Sequence, residues 1–209
     1  MPLGALYDDA IAVLEAAGVD VTPLRDGGRK LVFEAPDGTV FITTRPSDVP
    51  TYVEAGAADI GIVGRDVINE RRPDVYELLD LGFGGCRMVY ATAAGEDRTG
   101  QIIARLGVLR VATKYPQVAE AYFTATGRQV ELVKVSGSVE LGPIVGLSDG
   151  IVDLVATGRT LRENGLVERE ELFWSSARLI ANWVSHKLRA EDIDALTARL
   201  VQAVDTEGA

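Results

Sequence analysis

Apolar residues recur along the chain with two periods. Near the start, Leu6, Ala10, Ile11, Val13, Leu14 and Ala17 have helical spacing, with Asp8 and Asp9 in the first turn and Gly18 as the stop; this predicts an amphipathic helix. Residues 31–33 and 40–42 read as strands joined through Pro36-Asp37-Gly38, a hairpin signal. Ser47 or Asp48 opens a helix with Pro50 in its first turn and Gly56 at its end. A buried strand is predicted over 59–64, a short helix over 67–70 and an extended segment over 75–81.

The glycine cluster Gly82, Gly84 and Gly85 is either a tight turn or a crossing between two lobes. Beyond it, a strand over 87–92 precedes strands at 109–112, 130–135 and 151–155, which alternate with helices at 116–126, 138–146 and 157–164. Such alternation predicts an α/β fold with a largely parallel sheet that binds ligands beyond the carboxyl ends of its strands. The charged run Glu168-Arg169-Glu170-Glu171 reads as solvated surface. Residues 177–184 read as extended, and Ile193, Leu196, Leu200 and Val204 mark a terminal amphipathic helix over 190–204.

Composition narrows the class. At 209 residues, 47% hydrophobic and 25% charged, the chain has an ordinary globular balance and can bury a sizeable core. A net charge of −10 argues against a nucleic-acid surface. Cys86 is the single cysteine, which rules out an intrachain disulfide and a multi-cysteine zinc site. The N-terminus shows no basic-then-apolar signal pattern and no stretch is long enough to cross a bilayer, so a cytoplasmic location is expected. Cys86, His186, Trp174 and Trp183 are read as packing or surface residues.

The chemistry concentrates where the strand 151–155 runs into Ala156-Thr157-Gly158-Arg159-Thr160-Leu161. Thr157 can cap the helix, Gly158 permits close approach of a ligand, and the open N–H groups of a helix start suit a phosphate. Asp149 precedes the strand and Asp153 lies within it; a buried acid is costly unless it is paired or binds something. Ser136-Gly137-Ser138-Val139-Glu140 opens a second helix start, read either as a further anion site or as a plain cap.

Glu140, Gly146, Ser148, Ile151, Asp153, Thr157, Gly158, Thr160 and Leu161 together resemble the signature of the ATP phosphoribosyltransferases, the first enzymes of histidine biosynthesis. The resemblance extends through Asp80 to Arg87, Arg110 to Pro116 and Asn164 to Leu166. It implies a two-lobed architecture like that of periplasmic binding proteins, with one lobe at 1–85 plus 175–209 and the other at 86–174. The implied reaction is attack of adenine N1 of ATP on the anomeric carbon of 5-phosphoribosyl 1-pyrophosphate, releasing pyrophosphate. The resemblance assigns the 5-phosphate to Thr157, Gly158, Arg159 and Thr160. Asp153 is the expected ribose contact, Asp149 the weaker one, and Ser138 and Glu140 are further substrate-binding candidates. Arg87 and Lys114 would offset phosphate charge beside magnesium, which is expected to travel on the pyrophosphate. N1 already carries a lone pair, so alignment and electrostatic stabilisation, not a strong base, would drive the transfer.

The family's opening Pro-Lys-Gly-Arg-Leu is matched here by Pro2-Leu3-Gly4-Ala5-Leu6, without either cation. The chain stops after its terminal helix, like the short form of the family, which implies a separate regulatory subunit resembling a histidyl-tRNA synthetase, alongside homo-oligomers. A non-catalytic, two-lobed small-molecule-binding module is the alternative; a secretory signal would favour it. The effector-binding part of a transcription regulator would instead need a helix-turn-helix segment.

Overall fold

The computed structural model describes residues 1–26 and 30–207. They form two compact units: Met1–Gly84 with the segment from Ser176 onward, and Gly85–Ser175. The chain therefore passes between units at the glycine cluster and again at Ser175–Ser176.

The first unit opens with α1 (Tyr7–Ala16) and a short α2 (Thr22–Asp26). The hairpin β1 (Val32–Glu34) and β2 (Val40–Ile42) follows, with Phe33 opposite Phe41. Pro2 makes an isolated parallel bridge to Thr44, closed by Leu3 N–H donating to Thr44 O at 2.8 Å. A 3-10 turn leads to α3 (Val49–Glu54), β3 (Ile60–Gly64), α4 (Arg65–Arg71) and β4 (Tyr76–Asp80).

The second unit contains β5 (Cys86–Ala93), α5 (Thr99–Leu106), β6 (Leu109–Thr113), α6 (Pro116–Ala125) and β7 (Val130–Lys134), followed by α7 (Leu141–Ile144), β8 (Gly150–Val155), α8 (Arg159–Glu163) and β9 (Leu166–Ser175). Its sheet has the order β7-β6-β8-β5-β9. The βαβ alternation makes β6 parallel to β7 and β8, whereas β5 pairs antiparallel with β8 and β9. Period-two alternation sorts the core. Met88, Tyr90, Leu109, Val111 and Val152 pack with Phe123 of α6 on one face, and Val89, Ala91, Ala112, Ile151 and Val155 with Leu161 of α8 on the other.

On returning to the first unit, the chain forms β10 (Ala177–Ala181), α9 (Trp183–Leu188) and α10 (Ala190–Glu207). All five residues of β10 are buried, because it sits between β3 and β4 and pairs antiparallel with both. Asn182 caps α9, accepting from the N–H groups of Val184 and Ser185 at 2.9 and 3.0 Å. Ile193, Leu200 and Ala203 on α10 are buried, as its spacing predicts.

Three features depart from the sequence reading. The helices α2, α5 and α9 were not anticipated from the pattern. The charged run at 168–171 belongs to the ten-residue strand β9 and is half-buried over 168–170, because those side chains find ionic or polar partners across the sheet. The helix expected over 138–146 contracts to Leu141–Ile144, with Gly142 and Pro143 weakening its middle. The largely parallel sheet expected from the alternation is present in the second unit, where β5 alone runs against the other four strands. Among the described residues, no helix is long and apolar enough to cross a membrane.

Candidate functional site

β8 carries the site. The parallel ladder with β6 runs from Gly150 to Val152, and Thr113 Oγ1 donates to Val152 O at 2.7 Å just where it ends. The same hydroxyl accepts from Tyr115 N–H at 2.9 Å, which turns the chain after Lys114. This anchoring places Lys114 beside Asp153, with Nζ 3.7 Å from Oδ1. Asp153 keeps only 18% of its side-chain surface and its Oδ1 has no hydrogen-bond partner, whereas Lys114 is 40% exposed. Burial raises the Asp153 carboxyl above its ordinary range, Lys114 opposes that rise, and the nearby charge of Glu140 adds to it. The structure therefore pairs Asp153, within β8, with Lys114 just past the end of β6, near enough to Glu140 to feel its charge. A buried acid oxygen without a partner is suited to accept a ligand hydroxyl.

After Val155 the chain turns through Ala156, Thr157 and Gly158 into α8. The helix starts two residues later than the sequence reading placed it. Its N-cap is Gly158, not Thr157, because the turn needs the left-handed φ of 70°. The Thr157 hydroxyl accepts a long 3.4 Å bond from Arg159 N–H, and Thr157 O accepts from Arg162 Nη1 at 3.1 Å. Thr157, Arg159 and Thr160 are exposed, and Gly158 is buried. Arg159 lies along the helix against Glu163 at 2.7 Å.

Two nominated residues behave differently from expectation. Asp149 sits at the opposite end of β8 and is committed to Arg110: its Oδ2 accepts from the main-chain N–H at 2.9 Å and its Oδ1 from Nη2 at 3.0 Å. With both oxygens engaged by Arg110, it is tied to the start of β6 and is not brought together with Asp153. It borders a separate cleft of about 540 Å³ with Arg98, Thr99 and Ser148. Arg87 reaches the turn end of the sheet, opposite Val155, and is held by Glu168 at 2.7 Å. Ser138 is exposed with a left-handed φ of 48°, and Glu140 lies at the start of α7 without capping it through its side chain. The plain-cap reading of that second helix start therefore fails. Glu168 was missed at the sequence level, hidden in a run that looked like solvated surface.

No cluster of three or more His, Cys, Asp or Glu side chains is placed to hold a metal among the described residues. The available groups are two neighbouring carboxylates, a lysine and an amide-rich turn. That set can grip phosphates and hydroxyls and stabilise separating charge, and it contains no activated nucleophile.

Comparison with known proteins agrees with this chemistry. The family profile described as "HisG: ATP phosphoribosyltransferase" matches residues 45–202. An ATP phosphoribosyltransferase of Rubrobacter xylanophilus is 53% identical over 95% of this chain and 92% of its own length. The solved ATP phosphoribosyl transferase (HisG:HisZ) complex from Thermotoga maritima contains a chain that superposes with a TM-score of 0.84 at 33% identity, covering 98% of this chain and 96% of that one. A substrate-binding protein of an amino acid ABC transporter shares the fold alone, with a TM-score of 0.59 at 13% identity over 97% of this chain and 81% of its own. The profile, the close relative and the full-length structural match, together with a phosphate-type turn fed by a buried acid, lead to one assignment: the chain belongs to the ATP phosphoribosyltransferase family.

Proposed function

We propose that this chain transfers phosphoribose from 5-phosphoribosyl 1-pyrophosphate to N1 of ATP, the first step of histidine biosynthesis, and that the β8–α8 segment holds the donor. The observation that carries the reading is the buried Oδ1 of Asp153, near Lys114 but without a hydrogen bond, on the strand that feeds the Gly158 turn. Amides and hydroxyls from Thr157 to Thr160 take the 5-phosphate, and Asp153 accepts from a ribose hydroxyl. Lys114, close to Asp153, offsets negative charge on the leaving pyrophosphate while positive charge grows on the sugar ring.

Magnesium fits as a companion of the pyrophosphate. Asp153 offers an orphan oxygen and Glu140 a second carboxylate, which suits an ion bound mainly through substrate oxygens and short of an all-protein cage. When bound, the ion would neutralise charge on the leaving group. By analogy with the Thermotoga maritima complex, a HisZ-like regulatory subunit is the proposed partner. Homo-oligomers and a cytoplasmic location complete the reading.

The test is pyrophosphate release with ATP, the donor and magnesium. Turnover with the wild-type chain, and its loss in Asp153→Ala with the fold retained, is the expected result. Unchanged turnover in that variant would remove the ribose contact.

A further inference from the structure

Gly158 has a left-handed φ of 70°, and the space where a side chain would project is already filled. A Cβ there would lie 2.9 Å from Arg162 Nη1 and 3.0 Å from Glu168 Oε1. A carboxylate thus sits directly against the turn assigned to the dianionic 5-phosphate. Alone, it would repel that ligand. It is not alone: Arg87 meets it with both terminal nitrogens, Nη1 to Oε2 at 2.7 Å and Nη2 to Oε1 at 3.1 Å. The two side chains keep 32% and 28% of their surface, so water screens the pair only in part. Glu171 also approaches the guanidinium, at 3.9 Å. The cation is therefore surrounded by the chain's own carboxylates.

We propose that Arg87 serves the phosphate turn as a positioning residue, by neutralising and fixing Glu168 beneath Gly158, and not by reaching the substrate itself. The bidentate pair holds the carboxylate in the place a side chain would take and keeps the left-handed turn in one shape. Removing Arg87 takes away the bidentate partner and leaves the carboxylate beside the turn with only Arg162 Nη1 near it. Removing both partners takes away the repulsion as well. The pair should therefore show a reversal that direct substrate contact by Arg87 cannot produce.

The proposal rests on the reading that the turn binds the 5-phosphate, so the experiment includes a separate control for that reading. Steady-state kinetics would compare Arg87→Ala, Glu168→Ala, the double variant and Thr160→Val. Arg87→Ala is expected to raise KM for the phosphoribosyl donor about 10-fold, one decade of binding, with kcat and the KM for ATP within about 2-fold. Adding Glu168→Ala should bring the donor KM back to within about 3-fold of wild type. A double variant as impaired as Arg87→Ala, or a fall in kcat on losing Arg87, would overturn the proposal in favour of direct contact. An unchanged donor KM in Arg87→Ala would also overturn it. If Thr160→Val leaves the donor KM unmoved, the phosphate-turn reading itself fails; if Thr160→Val raises it while the double variant shows no recovery, only the role of Arg87 fails.

Discussion

Lys114 Nζ lies 3.7 Å from Asp153 Oδ1, close enough to attract and too far for a hydrogen bond. The acid is therefore held buried and incompletely satisfied. Because burial raises its folded pKa above the unfolded value, ionised Asp153 costs the fold stability at neutral pH, and that cost fades as pH falls through the raised value towards the ordinary 3.8. Asp153→Asn is expected to cut turnover at least about 100-fold while leaving Tm unchanged or raised by about 2–4 °C, the shift that ~1 kcal/mol gives a chain of this size. Thermal melts and pyrophosphate release on the same preparation would check both halves.

Asp149 offers the contrast. Its oxygens tie the starts of β6 and β8 together through Arg110, so its loss should act on folding. Asp149→Ala is expected to destabilise by about 1.5–3 kcal/mol, the range for hydrogen bonds to a charged group. Donor KM should stay within about 2-fold of wild type. Urea denaturation alongside kinetics would separate the two effects; a selective rise in donor KM would return Asp149 to the site.

Gly158→Ala tests the turn directly. The new Cβ would require both the Arg162 and Glu168 tips to retreat from under 3.1 Å, and alanine at φ 70° carries about 1–2 kcal/mol of backbone cost. The expected result is a donor KM raised at least about 10-fold with ATP binding little changed, measured by titration of each substrate.

The Arg128–Glu170 pair sets an acid limit on the second unit. Both guanidinium terminal nitrogens donate to Glu170, at 2.8 and 2.7 Å, and Tyr122 adds its hydroxyl. Arg128 chiefly, with Tyr122, holds the Glu170 carboxyl below its ordinary 4.5. A depressed folded value means the stabilisation is present above pH 4.5 and is lost as pH falls through the lowered one. Glu170→Gln should therefore lower unfolding free energy at pH 7 by roughly 1–2 kcal/mol, with discounting for partial exposure, and the gap to wild type should close at the acid end of a denaturation series.

What was legible in the sequence was what is local. The apolar run at 151–155 and the Thr-Gly that follows are contiguous, so strand, turn and ligand face could be read together. The start of α8 was misplaced because a threonine cap and a left-handed glycine cap compete, and the backbone chose the glycine. Glu168 escaped because its partner Arg87 is 81 positions away, and because register shifts at Met88/Val89 and Tyr90/Ala91 break the alternation that would have marked β9 as a strand. Asp149 looked like Asp153 in sequence, and only the fold reveals that Arg110 already occupies it. The antiparallel entry of β5 was likewise invisible, since strand direction is set by the path of the chain and not by composition.

The ladder between β6 and β8 stops at Val152, so from Asp153 to Val155 the strand has β5 on one flank and, among the described residues, no neighbouring strand on the other. On the proposed reading, peptide groups along that margin that lack a strand partner add main-chain contacts to the sugar beside those of the acid. Side-chain replacement leaves those groups in place. An alanine scan of the site would then credit side chains with only part of the grip, and the residual affinity of the most damaged variant would measure what the bare main chain contributes.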